Sequence, residues 1–170
     1  DPWDVFHQGL ARRTGLSIGT VTIAVGALVL LLWIPLRQWP GIGTASNVVV
    51  IGLAVDGWIA VLPTTHSWPA RSAFLVVGVL LCGVATGLYI GASLGPGPRD
   101  GLMTGLVARS GRSIRLVRTA IELAVLAAGF ALGGTVGVGT VLYAMSIGPL
   151  AHYFIPLCTV RATPARVRTR

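Results

Sequence analysis

Charged side chains are scarce in this chain of 170 residues. Asp, Glu, Lys and Arg together make up 11% of it, and only five residues are acidic. Soluble domains carry about 25% charged residues, so this sequence lacks the polar surface that a globule needs in water. Hydrophobic residues reach 54% and the mean hydropathy is +0.80, which also excludes a disordered chain. An integral membrane protein is the class that is left.

Residues that build redox or metal sites are equally sparse. The two cysteines, Cys82 and Cys158, are too few for a disulfide scaffold. The three histidines are scattered, and no HExxH or CxxC spacing occurs, so no metal site is predicted. A GxSxG nucleophile motif and a phosphate loop are also missing. The sequence therefore predicts neither an enzyme nor a bound cofactor.

Long apolar runs are abundant. No Asp, Glu, Lys or Arg occurs within 14–36, 72–98 or 123–160, and Asp56 is alone within 38–70. A membrane-spanning helix needs about 20 mostly apolar residues. The runs, with the Gly- and Pro-rich breaks between them, predict five spans, at 16–36, 43–62, 72–93, 114–133 and 138–157.

The chain contains an internal duplication. Residues 2–58 align without a gap with 98–154, which lie 96 residues later, and share 18 identities in 57 positions. The identities include polar residues such as Asp4 and Asp100, which a shared apolar composition would not bring into register. We therefore take the duplication as real.

The duplication predicts the architecture. In the second copy the PxD segment follows a complete span, whereas in the first copy it begins the chain, so we expect a further helix upstream in the natural protein. Each copy then has three helices, and because three is odd the copies insert with opposite orientation, as in many secondary transporters. The predicted fold is an all-α polytopic membrane protein with inverted three-helix repeats. Its parts are a first repeat that lacks its first helix (1–62), a second repeat (63–157) and a basic tail (158–170).

Arginine is distributed unevenly over the predicted loops. The loops 37–42 and 94–118 and the tail hold ten arginines, while 1–15, 63–71 and 133–138 hold three. Arginine-rich loops stay in the cytoplasm, so we expect a multi-pass protein of the bacterial cytoplasmic membrane with its C-terminus inside. The net charge of +8 then serves contact with anionic lipids of the bilayer, and not with nucleic acid.

Three blocks carry a resemblance to a known family. They are GLYIGASLGPGPRDGLMTGL at 87–106, its counterpart PWDVFHQGLARRTGLSIGT at 2–20, and PGIGT at 40–44. Over nearly all of its length the chain resembles the bacterial YczE/YyaS/YitT-type family of small integral membrane proteins. The resemblance implies about six spans with an internal duplication. Links to antibiotic production or metabolite export are attached to parts of this wider group, and the resemblance implies no catalytic or binding residues.

The duplicated PxD segments at 2–4 and 98–100 are the first candidate site. Proline at the start of a helix loses no hydrogen bond, and Asp4 and Asp100 favour the positive end of the helix dipole. Each copy is thus interpreted as a short helix, a tight break and a span. Two interpretations stay open, an interfacial elbow with structural caps or a discontinuous helix that lines a solute path.

Other polar residues recur in both copies. Arg13 and Arg109 lie nine residues after the two aspartates, too far to pair within one helix, and are candidates for pairing with another element. Thr44 and Thr140 end the motifs GIGT and GVGT. A threonine cap beside a tight hairpin explains them, and a ligand contact is the alternative.

A glycine face is predicted on the third span. Gly83, Gly87 and Gly91 have the small-xxx-small spacing that lets helices approach closely. We expect this face either to pack against another helix or to form a homodimer.

Asp56 and His152 occupy the same position in the two copies, each inside a predicted span. An ionisable residue in a span is costly and is a functional candidate. We expect the two to border one central cavity from opposite leaflets, where the histidine would serve proton coupling or substrate contact. In the alternative interpretation, Asp56 caps polar groups inside the bundle and His152 bonds a neighbouring carbonyl.

Two functional classes follow from these features. The inverted repeat favours a small secondary transporter or exporter of an unidentified small molecule. The alternative is a membrane scaffold or regulator of another membrane protein or of metabolite production. Polar, paired residues around an aqueous cavity would favour transport, and an apolar interior with an intact glycine face would favour the scaffold.

Cysteine labelling tests the predicted topology. With inverted copies, Ser67→Cys lies outside the cell and Ser110→Cys lies in the cytoplasm. A membrane-impermeant maleimide applied to intact cells should therefore label the first variant only. Labelling of both from the same side would contradict the inverted arrangement.

Overall fold

The computed structural model of the protein describes residues 1–92 and 94–158, and within them every regular element is a helix. The seven helices of these ranges are α1 (Pro2–Thr14), α2 (Ile18–Leu36), α3 (Ile42–Val61), α4 (Trp68–Gly91), α5 (Pro98–Ser110), α6 (Ile114–Ala131) and α7 (Val138–Cys158). The predicted all-α fold class is confirmed. The basic tail, after Cys158, lies outside the described residues.

Four helices have the length and apolar composition to cross a membrane, namely α2, α3, α4 and α7. They correspond to four of the five predicted spans. α4 begins at Trp68, earlier than expected, because Pro69 suits the first turn of a helix. α6 corresponds to the span predicted at 114–133, but it carries Arg115, Arg118 and Glu122 and falls outside this set. A total of five spans stays a prediction.

Large apolar side chains cover the outside of the bundle. Leu53, Leu81 and Met145, for example, are 63%, 62% and 71% exposed. In water each square ångström of such surface is unfavourable by about 25 cal/mol, whereas lipid tails remove that penalty. The exposed surface therefore fits a bilayer.

The duplicated sequence folds with matching helix ends. α1 and α5 both have 13 residues, and α5 begins 96 residues after α1. Both end at a glycine with a left-handed backbone, Gly15 with φ 74° and Gly111 with φ 65°. Ser17 and Ser113 then cap α2 and α6, each accepting a hydrogen bond from the backbone N–H three residues later. Each copy thus has the short helix and the tight break that were interpreted from its sequence.

The bundle has two ends, which we call end A and end B. At end A the start of α2 meets the last turns of α3, where the Gly19 N–H donates to Asp56 Oδ1 at 2.7 Å. At end B the start of α3 meets the residues after α4, where the Gly43 N–H donates to the Leu94 carbonyl at 3.0 Å.

The short helix α5 runs alongside the last half of α2 in the same direction. Gly101 packs on the indole of Trp33, and a Cβ on Gly105 would lie 3.0 Å from the Leu36 Cβ. α5 thus points towards end B. At 13 residues it is about 20 Å long, which is shorter than the hydrocarbon core of a bilayer.

The equivalent helix α1 runs alongside α6, also in the same direction. A Cβ on Gly129 would lie 2.7 Å from the Val5 carbonyl carbon, and one on Gly9 would lie 2.9 Å from the Leu132 Cβ. Because only residues 15–17 separate α1 from α2, α1 points back towards end A. Each short helix therefore packs on a long helix of the other copy.

α4 and α7 pack in parallel through the predicted glycine face. A Cβ on Gly83 would lie 2.8 Å from the Leu150 Cβ, and one on Gly87 would lie 2.8 Å from the Phe154 Cβ. Helix packing by this face, which includes the buried Gly91, is confirmed. Within the chain, α7 covers Gly83 and Gly87. A homodimer through this face stays a prediction. Because α4 and α7 run in the same direction, the chain after α4 must turn back into the bundle and continue as α5 without crossing to end A.

The buried core follows one face of α2. Val21, Val25, Val29 and Trp33 recur every four residues and are all at least nine-tenths buried. They pack with side chains of both short helices. α2 is therefore the support on which α1 and α5 are positioned.

A pair of substitutions tests the packing of the two copies. Gly101 and Trp33 correspond by position to Val5 and Gly129, so the large and small residues are exchanged between the copies. Gly101→Val should destabilise the protein by about 1–3 kcal/mol, because its side chain would overlap the indole. Combined with Trp33→Ala, it should destabilise by less than the sum of the two single effects, with a coupling of about 0.5–3 kcal/mol. Thermal unfolding of the purified protein in detergent measures this, and strictly additive effects would contradict the contact.

Candidate functional site: two cavities at facing helix ends

The N-termini of α1 and α5 face each other inside the bundle. Arg99 Nη1 donates to the Asp1 carboxylate at 2.9 Å, and its guanidinium lies 4.9 Å from the centre of the Trp3 ring. Two half-helices thus meet end to end, and we call residues 1–4 and 97–100 the junction. This end-to-end geometry favours the discontinuous-helix interpretation of the PxD segments.

The junction corrects one step of the topology argument. Arg99 was assigned to a cytoplasmic loop and Asp1 to the opposite side, yet their side chains are in direct contact. Both lie in the first turns of the half-helices, within the bundle. Without Arg99 the arginine split is nine against three, so the expected orientation is unaffected.

The two half-helices are capped in different ways. The Asp1 carboxylate accepts the Asp4 N–H at 2.7 Å, and the Asp4 carboxylate accepts from the backbone nitrogen of Asp1. In α5 the corresponding N-cap is Gly97, which has no side chain. There the hydroxyl of Tyr89, from α4, accepts the Gly97 N–H at 2.6 Å and donates to Asp100 Oδ2 at 2.5 Å. Asp4 and Asp100 are thus held at the junction as predicted from the PxD motif.

A first cavity, cavity 1, lies on the end A side of the junction and has a volume of about 480 Å³. α1 contributes Asp4 and His7, and the middle of α3 contributes Asn47. α4 and α7 complete the wall with Tyr89 and Tyr143. Polar groups from both copies therefore converge on one space beside apolar side chains of α2, which is typical of a ligand pocket.

A second cavity, cavity 2, has a volume of about 290 Å³ and lies across the junction from cavity 1. The two cavities share seven lining residues: Asp1, Trp3, Thr86, Tyr89, Arg99, Asp100 and Tyr143. The rest of cavity 2 comes mainly from α5, α6 and α7, including Met103, Arg118, Glu122 and Ala151, with Pro2 of α1 and Ile90 of α4. The shared residues form the wall between the two spaces.

The linings of the two cavities correspond position by position. Thr22, Val25, Gly26, Ile51 and Val55 line cavity 1, and their equivalents 96 residues later, Arg118, Ile121, Glu122, Ile147 and Ala151, line cavity 2. Cavity 1 lies near the start of α2 and cavity 2 near the start of α6. The duplication has therefore produced two related spaces on either side of the junction.

His7 has an unusual hydrogen-bonding state. It is 3% exposed, and its Nδ1 lies 3.2 Å from the Thr22 hydroxyl, which donates its own hydrogen to the Ile18 carbonyl at 2.8 Å. In the neutral ring with its hydrogen on Nδ1, the Nδ1–H donates to the Thr22 hydroxyl and Nε2 carries a lone pair. Burial disfavours the charged form of the ring. Among the described residues Nε2 has no hydrogen-bond partner.

The threonine and arginine candidates have structural contacts away from the cavities. Thr44 is fully buried, accepts from the Gly41 N–H at 3.2 Å and donates to the Pro96 carbonyl at 2.7 Å. Thr140 repeats the first of these contacts at the start of α7. The capping interpretation is confirmed, although both threonines occupy the third helical position and not the N-cap itself.

Arg13 pairs with another element, as expected, but with a carbonyl. Its Nε donates to the Leu132 carbonyl at the end of α6, at 3.3 Å. Arg12 donates to the neighbouring carbonyl of Gly133. These cations stabilise the negative end of the α6 dipole. Arg109 is exposed at end B and does not repeat the contact.

Asp56 and His152 are not brought together. Asp56 caps α2 by accepting from the Ser17 hydroxyl at 2.5 Å and from the Gly19 N–H at 2.7 Å. His152 is exposed on α7. Neither residue lines cavity 1 or cavity 2, so the expected placement at one central cavity is wrong. Asp56 is too near end A, and the outer face of α7 carries His152.

The sequence did not single out five residues that build the cavities: Trp3, His7, Tyr89, Arg99 and Tyr143. Two of these positions differ between otherwise matching segments, where Trp3 corresponds to Arg99 and His7 to Met103. Such differences were the available signal, because they mark where the copies have diverged in role. No group of three metal-ligating side chains occurs within 1–92 and 94–158.

Asp56 provides a stability prediction. Asp56→Ala should destabilise the protein by about 0.5–2 kcal/mol, because the first turn of α2 loses an acceptor for its N–H groups. Asp56→Asn keeps an acceptor oxygen and should lose less. Thermal unfolding of the two variants in detergent measures the difference, and equal losses would mean that the charge of Asp56, and not its capping bonds, is responsible.

Comparison with known proteins gives relatives without an assigned activity. The chain is 42% identical over 154 residues to an uncharacterized protein of Haemophilus influenzae, covering 91% of this chain and 71% of that protein. It is 36% identical over 156 residues to the uncharacterized membrane protein YczE of Bacillus subtilis, covering 91% of this chain and 73% of YczE. It is 26% identical over 160 residues to the uncharacterized protein YyaS of the same organism, covering 92% of this chain and 80% of YyaS. No solved structure matches. The predicted resemblance is confirmed, and the apolar helices and the YczE relative identify a membrane protein. Residues 1–156 match DUF6198, and the chain therefore belongs to this family of unknown function.

Proposed function

We propose that this membrane protein is a small secondary transporter built as an inverted repeat. The helix directions support the inversion. α1 points to end A while its equivalent α5 points to end B, and α6, parallel to α1, runs opposite to its equivalent α2. An axis along the membrane normal would have kept equivalent helices parallel, so an axis in the membrane plane is favoured.

The reciprocal packing of the short helices also supports this arrangement. α1 of the first copy lies on α6 of the second, and α5 of the second lies on α2 of the first. Such exchange is what a two-fold relation between two similar units produces. The two copies therefore form one unit, with the junction close to the axis.

The pair of related cavities is the observation that carries the transport proposal. In an inverted repeat, equivalent spaces lie towards opposite faces of the membrane. Cavity 1 would then open to the aqueous phase on one side of the membrane and cavity 2 to that on the other side, with the junction as the barrier between them. Broken backbone at membrane depth is tolerated where it lines a cavity, and transporters bind solutes at such breaks.

The scaffold alternative receives less support. The glycine face that would dock another membrane protein is occupied by α7. The interior contains paired polar groups around cavities, and not the apolar packing expected of a scaffold. In this proposal the chain is not an enzyme.

The orientation follows the arginines. Arg109, Arg112 and Arg115 are exposed around end B. With end B in the cytoplasm they would contact anionic headgroups of the inner leaflet, and the C-terminus would be inside. Cavity 2 would then face the cytoplasm and cavity 1 the outside.

Matched cysteines test whether the cavities serve opposite faces. Val55→Cys lines cavity 1 and Ala151→Cys is its equivalent in cavity 2. Both are made in a background in which Cys82 and Cys158 are serine. In sealed vesicles of known orientation, an impermeant thiol reagent should reach the first from the outer face and the second from the cytoplasmic face. Reaction of both from one face would overturn the two-cavity arrangement.

Solute flux in reconstituted vesicles tests transport itself. Amines, amino acids, carboxylic acids and sugars are screened for uptake and efflux. At least one class should move faster than in protein-free vesicles, and the rate should fall when the thiol reagent occupies Val55→Cys. No flux of any class, with the labelling pattern intact, would favour the scaffold.

A further inference from the structure

Cavity 1 contains hydrogen-bond acceptors that the protein does not use. The Nε2 of His7 carries a lone pair and has no partner in the described part of the chain, although the residue is 97% buried and its ring lines the cavity. A buried polar atom of this kind is unfavourable by about 1–3 kcal/mol unless something donates to it. It therefore points to a ligand that carries a hydrogen-bond donor.

Asp4 presents a second acceptor in the same cavity. One of its carboxylate oxygens, Oδ2, accepts from the backbone nitrogen of Asp1, and its side chain is 68% exposed. Asp4 and His7 are three residues apart on α1 and therefore lie on the same helix face, about 5–6 Å apart at Cβ. One ammonium group placed between them would reach both.

The charges around cavity 1 also favour a cation. Its charged side chains are three carboxylates (Asp1, Asp4 and Asp100) and one guanidinium (Arg99). The positive ends of two helix dipoles add about one positive charge. The side chains of the lining therefore sum to a negative charge, which disfavours an anion.

The rest of the lining suits an apolar body. Trp3, Tyr89 and Tyr143 present aromatic rings, and Val25 and Val48 present aliphatic surface. Aromatic faces attract organic cations by about 0.5–2 kcal/mol each. A volume of about 480 Å³ is sufficient for a small amine with one ring.

We propose that cavity 1 binds a primary or secondary organic ammonium ion with an aromatic or aliphatic body, its N–H groups donating to Asp4 and to Nε2 of His7. The site stands on the geometry of cavity 1. That the ammonium ion is also the transported solute rests on the proposed function.

Cavity 2 does not offer the same site. Met103 replaces His7 there, so the free acceptor is missing. Its own carboxylate, Glu122, is already paired with Arg118 at 3.0 Å. Asp1 and Asp100, which it shares with cavity 1, are bonded to Arg99 and to the Tyr89 hydroxyl. The duplication thus provides an internal comparison, in which related cavities differ in the groups that would hold an ammonium ion.

Binding of four related probes to the purified full chain tests the proposal by calorimetry. The probes are 2-phenylethylammonium, its N,N,N-trimethyl derivative, 2-phenylethanol and phenylacetate. The ammonium ion should bind on the order of tenfold or more tightly than the alcohol, since hydrogen bonds to charged groups contribute about 1.5–3 kcal/mol. The acid should not bind measurably. Binding of the alcohol as tightly as the ammonium ion, or tighter binding of the acid, would overturn the proposal.

Two variants separate the roles of Asp4 and His7. Asp4→Asn should weaken the binding of 2-phenylethylammonium by roughly tenfold or more. Asp56→Asn removes an equal charge outside both cavities and should leave this binding unchanged. His7→Met introduces the residue found at the equivalent position of the second copy, Met103, and should weaken the binding of 2-phenylethylammonium several-fold. It should not weaken the trimethyl probe, which has no N–H to donate. Unchanged binding in Asp4→Asn would contradict the site.

The unsubstituted chain supplies a measurement that does not depend on variants folding. Cys82 lines cavity 1 and Cys158 lines neither cavity. Saturating 2-phenylethylammonium should slow modification of Cys82 by a small thiol reagent at least several-fold and leave Cys158 unaffected. Equal rates with and without the amine would overturn the proposal.

The outcomes separate this site from transport. If the amine binds with these characteristics but no solute crosses vesicles, the site holds and the transport proposal fails. If other solutes cross and the amine neither binds nor protects Cys82, transport holds and the ammonium site is wrong.

Discussion

Two helix ends that face each other inside an apolar bundle impose the main constraint on this structure. The first turn of a helix has N–H groups without intrahelical acceptors, and its dipole places partial positive charge there. Two such ends repel each other, so each needs an acceptor for its N–H groups. Asp1 supplies a carboxylate for α1, and the Tyr89 hydroxyl supplies an acceptor for α5. The caps, the acidic residues and the cavities beside them all follow from this requirement.

Sequence periodicity and turn chemistry were sufficient to predict where most of the helices lie. Uncharged runs place α2, α3, α4 and α7, and the glycine and serine pairs that follow the short helices fix where α1 and α5 end. These features are local, so a pattern within a few residues predicts them. The relation of the copies was accessible for a similar reason, because identical residues in register fold in the same way.

The composition of the cavities was harder to predict because it depends on contacts between distant segments. Tyr89 reaches Gly97 around the turn after α4, and Arg99 reaches Asp1 across 98 positions of sequence. Asp56 illustrates a choice that the sequence left open between a functional role and a cap, and the structure shows the cap on α2. A charged residue within a span can satisfy a helix end as readily as a ligand, and only the packing of α2 on α3 decides between these roles.

The packing of α1 on α6 has a consequence for biosynthesis. Arg13 bonds to a carbonyl 119 residues later in the chain, and Arg12 to one 121 residues later. α1 is synthesised well before α6, the helix against which it packs. Contacts of such long sequence separation close slowly. During synthesis α1 must therefore remain without these contacts until α6 has also been inserted.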